Sequence, residues 1–218
     1  MTSLLSPLRW WHALKREWLI YHLGLPEYRF MFDAPPPNEW VSLDCETTGL
    51  NVSSDEIISI GAVRIVGNKI MTSERFEVLV RPERGVSADS VRIHRLREQD
   101  VAQGLPAEEA MKQLMHFIGS RPLVGYFLEF DVAMLNRAIW PLLGQGLPQP
   151  KIEVSAMYYD HKFRQMLPYE QQTNPNIDLR FATLMSDLDL PVREAHDALN
   201  DAVMAAMAFI KLRQLRFG

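Results

Sequence analysis

The chain has one cysteine, Cys45, among 218 residues. An intrachain disulfide is therefore excluded, and a lone thiol on the apolar side of a strand reads as a small buried side chain in a reducing compartment. Positive charge is also short. A formal net charge of -4 and a pI near 5.9 exclude a protein that coats duplex nucleic acid, which needs many Lys and Arg contacts to phosphate. That balance still leaves room for gripping a few nucleotides at a strand end. No apolar run approaches the ~20 residues that a membrane-spanning helix needs. Trp18-Leu19-Ile20-Tyr21-His22-Leu23 is too short and polar-flanked for a signal peptide. A cytoplasmic protein is expected. There is no internal repeat, and no cluster of Cys and His of the kind zinc prefers.

What is present is an ordinary globular composition, 47% hydrophobic, enough for one core with an extension. The extension is residues 1–38. Leu4, Leu8, Trp11, Leu14, Trp18, Tyr21 and Leu25 recur at helical spacing, an amphipathic stripe that reads as docking on the protein's own domain or on a partner rather than on a membrane. Asp33 to Asn38, with three consecutive prolines, follows as a stiff linker. The main domain, 39–218, should open with a strand ending near Thr47. Ile57–Val66 and Ile70–Val80, separated by Gly67-Asn68-Lys69, read as an antiparallel hairpin. Helical spacing covers Ala107–Ile118. A short strand at Leu123–Tyr126 leads into a helix through Val132, Leu135 and Ile139 that should end before Pro141. Further helices are expected over Ser155–Met166 and Leu179–Leu188, with a mobile loop at Pro168–Asn176. A last helix runs from Ala198 to Leu215 with Leu199, Val203, Met207 and Ile210 as its apolar face. The expectation is α/β: a mixed sheet flanked by helices.

In Val41-Ser42-Leu43-Asp44-Cys45-Glu46 the side chains alternate, so Asp44 and Glu46 share a face at the end of a strand. Two anions so close repel unless water screens them, a proton is shared or a cation lies between. Asp131 follows Phe130 where strand gives way to helix, and Asp201 lies on the last helix. These can converge at the carboxyl edge of the sheet, where ligand sites form in α/β folds. His196 lies five residues before Asp201, which would put it on a different helical face, so it must precede the helix. Asp197 is the candidate N-cap. Four carboxylates and an imidazole suit hard divalent cations, Mg²⁺ or Mn²⁺, rather than Zn²⁺. Taken singly, these residues also fit an exposed edge strand, a helix cap and surface side chains.

Taken together, Asp44-Cys45-Glu46-Thr47-Thr48-Gly49-Leu50, Val124 to Asp131 and Ala195-His196-Asp197-Ala198-Leu199-Asn200-Asp201 resemble the three motifs of the DEDDh 3′-to-5′ exonucleases, typified by the proofreading epsilon subunit of bacterial DNA polymerase III. The resemblance runs from Trp40 to Leu212. It implies a ribonuclease-H-like fold, and two divalent metal ions on Asp44, Glu46, Asp131 and Asp201. It further implies His196 as the base that takes a proton from the attacking water, with release of nucleoside 5′-monophosphates. Glu46 counts among the catalytic groups as well as the ligands. Thr47 and Leu50 match positions that line the terminal nucleotide site, and His94 resembles a substrate-side histidine, although a core or capping histidine fits it equally.

Two departures stand out. Tyr126-Phe127 occupies the place of the family's His-Asn, offering rings that either stack a base or fill core. Arg95 replaces a glycine, and Arg92 and Arg97 add charge there, at a strand exit or on a solvated loop. The implied substrate is the 3′ end of single-stranded DNA. An exoribonuclease trimming short RNA or tRNA ends is the alternative, and a non-catalytic nucleic-acid-binding module the rival outside enzymology. A homodimer or a polymerase-type partner is expected to use the N-terminal helix.

Overall fold

The structure is a computed structural model that describes residues 7–85, 96–172, 176–193 and 197–217. Helix α1 (Pro7–Tyr21) and a 3₁₀ helix (Pro26–Phe32) precede strand β1 (Glu39–Thr47). Strands β2 (Ile57–Val66) and β3 (Lys69–Leu79) follow as an antiparallel hairpin, turned at Gly67 with φ of 61°. After short α2 (Glu98–Val101) come α3 (Ala107–Ile118), β4 (Leu123–Gly125), α4 (Leu128–Leu143), β5 (Lys151–Glu153) and α5 (Val154–Gln165). The chain continues through α6 (Pro168–Gln171), α7 (Phe181–Asp187) and α8 (Ala198–Phe217). The sheet order is β3-β2-β1-β4-β5. β1 pairs antiparallel with β2 and parallel with β4, which pairs parallel with β5.

β1 is thus the central strand, and its two faces feed two cores. Val41, Leu43 and Cys45 join Ile60, Leu114 and Leu135 under α3 and α4. Val63, Ile65 and Val124 face α5, α7 and α8 on the other side. Tyr28, Met31 and Phe32 of the 3₁₀ helix are buried in the first core, so the segment before β1 is packed onto the domain up to the proline run. β1 is not an edge strand: β2 pairs along it, Asp44 and Glu46 included, and β4 pairs on its other side at Val41 and Ser42.

Four expectations need correction. α4 runs through Pro141 to Leu143. The proline sits in the last turn, where its missing N–H forfeits a single helical bond, and Gly144, with φ of 67°, closes the helix by donating to the Trp140 carbonyl. Residues 168–171 form the short helix α6 rather than loop, and 173–175 lie outside the described residues. Of the stripe expected to dock on the domain or a partner, Leu14, Trp18 and Tyr21 of α1 and Leu25 after it are exposed rather than docked on the domain, and Leu19, Ile20 and Leu23 make that contact, while the side chains of Leu4, Leu8 and Trp11 lie outside the described residues. On α8 the buried residues are Ala198, Ala202, Val203, Met204, Ala205, Ala206, Ala208, Phe209 and Leu212, whereas Leu199, Met207 and Ile210 are only partly covered. A helix enclosed on several sides has no single apolar stripe to read, and its alanines let it approach the sheet closely.

Candidate active site

The carboxyl end of β1 is where the two cores leave an opening. Asp44 and Glu46 turn away from the Leu43 and Cys45 side, toward α8. The register with β2 slips between Glu46 and Thr47, a bulge of the kind that re-aims side chains beside active sites. The start of α8 meets the same spot. The Asp197 carboxylate accepts the Asn200 N–H at 2.8 Å, the N-cap that the sequence suggests, and so fixes the first turn, which carries Asp201. Carboxylate oxygens of Asp44, Glu46 and Asp201 come within 4.8 Å of one another. Asp131 arrives from the first turn of α4, only 4% exposed, with the Cys45 backbone N–H on its carboxylate.

This convergence depends on a residue the sequence reading passed over. Gly61 lies opposite Asp44 in the β1–β2 register. A Cβ there would meet the Leu199 nitrogen at 2.1 Å and the Ala198 carbonyl carbon at 2.2 Å. Glycine therefore admits the first turn of α8 to the strand pair that carries the acid cluster. The signal was available, since an isolated glycine inside a β-branched run marks a close backbone approach.

The charges on this cluster are all of one sign. Burial, then the charges of Asp131, Asp201, Glu46 and Asp197, raises the Asp44 carboxyl well above its usual range. Burial and then Asp201 and Asp197 push Glu46 up to about 7. Asp131 is pushed up to about 8, chiefly by burial, against the opposing pull of the Cys45 N–H. An all-oxygen, mutually repelling donor set fits a hard divalent cation, which would discharge it. Folding raises these pKa values, so between pH ~4 and ~8 the folded chain binds more protons than the unfolded one, and its stability without metal falls as pH rises through that window. The expected thermal melts follow: Tm in chelator drops from pH 5 to pH 8, and Mg²⁺ or Mn²⁺ raises it more at pH 8 than at pH 5. Equal metal shifts at both pH values would contradict this electrostatic account.

Around the cluster, the loop after β1 is tightly built. The Thr47 hydroxyl donates to the Gly49 carbonyl at 2.7 Å, and the Thr48 hydroxyl accepts the Glu56 N–H at 2.9 Å. Asp55 accepts the Asn51 N–H, and the Arg137 guanidinium of α4 donates to the Val52 and Asp55 carbonyls. Leu50 at the loop's tip is 85% exposed. Arg137 is a second residue that was missed; an arginine inside a helix carries no sequence sign of the distant carbonyls it serves. A cavity of about 310 Å³ opens beside Asp44 and Asp201, walled by Tyr126, Phe181, Met185 and Met204. Tyr126 fills space, stacked on Phe181, while Phe127 points outward. His196 and His94, with Arg92 and Arg95, lie outside the described residues.

A five-stranded mixed sheet flanked by helices, with acidic side chains gathered where its central strand ends, defines a ribonuclease-H-like nuclease domain. The sequence matches the exonuclease family (RNase_T) over residues 41–209, and the chain belongs to that family. It is 29% identical to a DNA polymerase III subunit epsilon-like protein of Rhodobacter capsulatus, over 79% of this chain and 23% of that one. It is 24% identical to DNA polymerase III subunit epsilon of Aquifex aeolicus, over 79% of each. The chain spans about a quarter or less of the length of several of these relatives, 12% in the case of the PolC-type DNA polymerase III of Thermotoga maritima, with 27% identity over 81% of this chain. Among solved structures, its fold is similar to E. coli exonuclease I bound to single-stranded DNA, with a TM-score of 0.67, 16% identity, and 83% of this chain and 41% of that one covered. It is also similar to exonuclease X in complex with 5′ overhanging duplex DNA, with a TM-score of 0.58, 24% identity, and 80% and 91% coverage. Among the described residues, no helix is long and apolar enough to cross a membrane.

Proposed function

We propose that the chain is a divalent-metal-dependent 3′-to-5′ exonuclease that shortens single-stranded DNA and releases nucleoside 5′-monophosphates. The observation that carries this reading is the convergence of Asp44, Glu46 and Asp201 within 4.8 Å at the end of the central strand, beside a nearly buried Asp131. DNA rather than RNA is favoured because the related proteins are named as DNA polymerase III subunits.

In this reading Asp44, Glu46, Asp131 and Asp201 would hold two ions, Mg²⁺ or Mn²⁺, which would supply a water of lowered pKa and charge stabilisation for the departing 3′ oxygen. The protein's own contribution is positional. Asp44 and Glu46 come from one strand, paired there with Gly61 and Ser59 of β2, which holds their spacing. Asp131 and Asp201 come from the first turns of two helices, one held against the Cys45 N–H and the other fixed by the Asp197 cap. His196 directly precedes that cap in the sequence, and an imidazole there can take the proton of the attacking water. Thr47 and Leu50 border the terminal nucleotide, Leu50 through an exposed apolar side chain on a loop that Arg137 holds in place.

The test is a pair of 3′-labelled oligonucleotides of one sequence, DNA and RNA, incubated with Mg²⁺ or Mn²⁺. The first labelled product from DNA is expected to be a 5′-mononucleotide, and His196→Ala is expected to slow its release by ~10²-fold or more while metal-dependent stabilisation is kept. A nucleoside 3′-phosphate, or internal fragments, would overturn the reaction assigned here. Faster release from RNA would overturn the substrate, and near-normal rates in His196→Ala would remove that residue from the chemistry.

A further inference from the structure

Phe127 has a side chain and a backbone that disagree. It precedes α4 in the left-handed region, with φ of 52° and ψ of 33°, which a residue with a Cβ adopts only at a cost. Its ring is 61% exposed, so the strain is not repaid by burial. The conformation is enforced instead by Glu153 at the end of β5. One carboxylate oxygen of Glu153 accepts the Phe127 N–H at 3.1 Å and the other accepts the Leu128 N–H at 2.9 Å. The same side chain accepts from the Ser155 N–H and hydroxyl and so caps α5. Glu153 is therefore a positioning residue that ties two helix starts to one turn and holds the ring of Phe127 out of the core.

The ring stands over open space. A cavity of about 550 Å³ is lined by Phe127, Tyr126, Ile177, Asp178 and Arg180 among others. Tyr126 also walls the cavity that contains Asp44 and Asp201, so one side chain separates the two spaces. Tyr126 is itself fixed: it stacks on Phe181 at 4.4 Å, meets Phe127 edge-on at 4.6 Å and donates its hydroxyl to the Leu179 carbonyl at 2.9 Å. On the rim, the exposed Arg180 guanidinium is paired with Asp178 at 2.6 Å. The floor of this second space is thus a rigid aromatic face, next door to the reacting end, with little net charge.

We propose that Phe127 is a stacking platform for the base of a single-stranded nucleic acid, serving a nucleotide close to the one whose phosphate is cut. The proposal rests on the exonuclease reading for the direction and position of the strand. A planar apolar ring offers the same contact to every base and touches no sugar hydroxyl, so the platform supplies affinity without choosing sequence or sugar.

The experiment is a coupling cycle read by fluorescence anisotropy, with Ca²⁺ in place of Mg²⁺ so that binding is followed apart from turnover. The protein and its Phe127→Ala variant are each titrated with an oligothymidylate and with versions carrying one abasic site at each of the last three 3′ positions. Phe127→Ala is expected to weaken binding of the intact oligonucleotide about tenfold. At one of the three positions, the abasic site is expected to cost little or nothing further in the variant, so that the combined loss equals that of Phe127→Ala alone. Additive losses at all three positions would overturn the platform. Phe127→Asn, which suits a left-handed turn, is expected to raise Tm by ~2 °C while weakening binding as much as alanine does. A lowered Tm with intact binding would overturn the claim that strain is held for the ligand. Coupling in a protein that does not shorten the oligonucleotide with Mg²⁺ would leave the platform standing and remove the exonuclease reading. Shortening without coupling would remove the platform alone.

Discussion

Asp44→Asn is expected to abolish nuclease activity, by ~10²-fold or more, and at the same time to make the metal-free protein more stable. The two effects have one cause. Asp44 sits beside Asp131, Asp201, Glu46 and Asp197, and burial together with those charges raises its carboxyl well above the usual range. Asparagine keeps the shape and removes the charge, so the repulsion that the folded state carries above neutral pH is relieved, by about 1–2 kcal/mol. The same substitution removes an oxygen donor from the group of three that could hold a cation. Urea unfolding in chelator at pH 8 measures the first effect and oligonucleotide shortening the second. The stability gain should shrink toward pH 5, where neighbouring carboxyls already hold protons. A variant that is both inactive and less stable in chelator at pH 8 would show that Asp44 is part of the fold's framework rather than a charge held ready for a ligand.

Gly61→Ala is the second large effect, and it involves no chemistry at all. The added methyl would lie 2.1 Å from the Leu199 nitrogen and 2.2 Å from the Ala198 carbonyl carbon. Both contacts are backbone at the start of a helix, so neither can rotate away, and the first turn of α8 has to lift from the sheet. Overpacking of this kind costs about 3 kcal/mol or more. Asp201 lies in that first turn, and a displacement of ~1 Å at a reacting centre can cost ~10²-fold in rate. Denaturant midpoints and shortening rates of Gly61→Ala should therefore fall together, whereas alanine at Gly67, which has nothing within 4 Å to strike but a φ of 61°, should cost far less and leave the rate alone. Wild-type stability in Gly61→Ala would mean that α8 does not approach β2 this closely.

Residues whose role is set by local pattern were legible in the sequence. Alternation along β1 placed Asp44 and Glu46 on one face, and the Asp197 cap before α8 was visible from its position at the helix start. The hairpin of β2 and β3 and the span of α3 were likewise carried by period and turn residues alone. What escaped was set by contacts between distant segments. Gly61 matters because of Ala198 and Leu199, Arg137 because of a loop that precedes it, and Glu153 because two other helices begin where its strand ends. The buried face of α8 was misjudged for a related reason: with alanines against the sheet and larger apolar residues on its flanks, the helix shows several moderately apolar faces, and only the packing chooses among them. Phe127 was noticed as a departure from the family, but its left-handed backbone is imposed by Glu153 and cannot be read from an aromatic residue, which ordinarily avoids it.

The central claim is that the acid cluster exists to bind divalent metal for hydrolysis at a 3′ end. Its most direct test is a 5′-labelled single-stranded DNA oligonucleotide incubated with the wild-type protein and Mn²⁺, then resolved at single-nucleotide resolution over time. The expected result is a ladder that descends one nucleotide at a time from the 3′ end and vanishes on adding chelator. An oligonucleotide that stays full length with Mn²⁺ and with Mg²⁺, or a ladder indifferent to chelator, would contradict it.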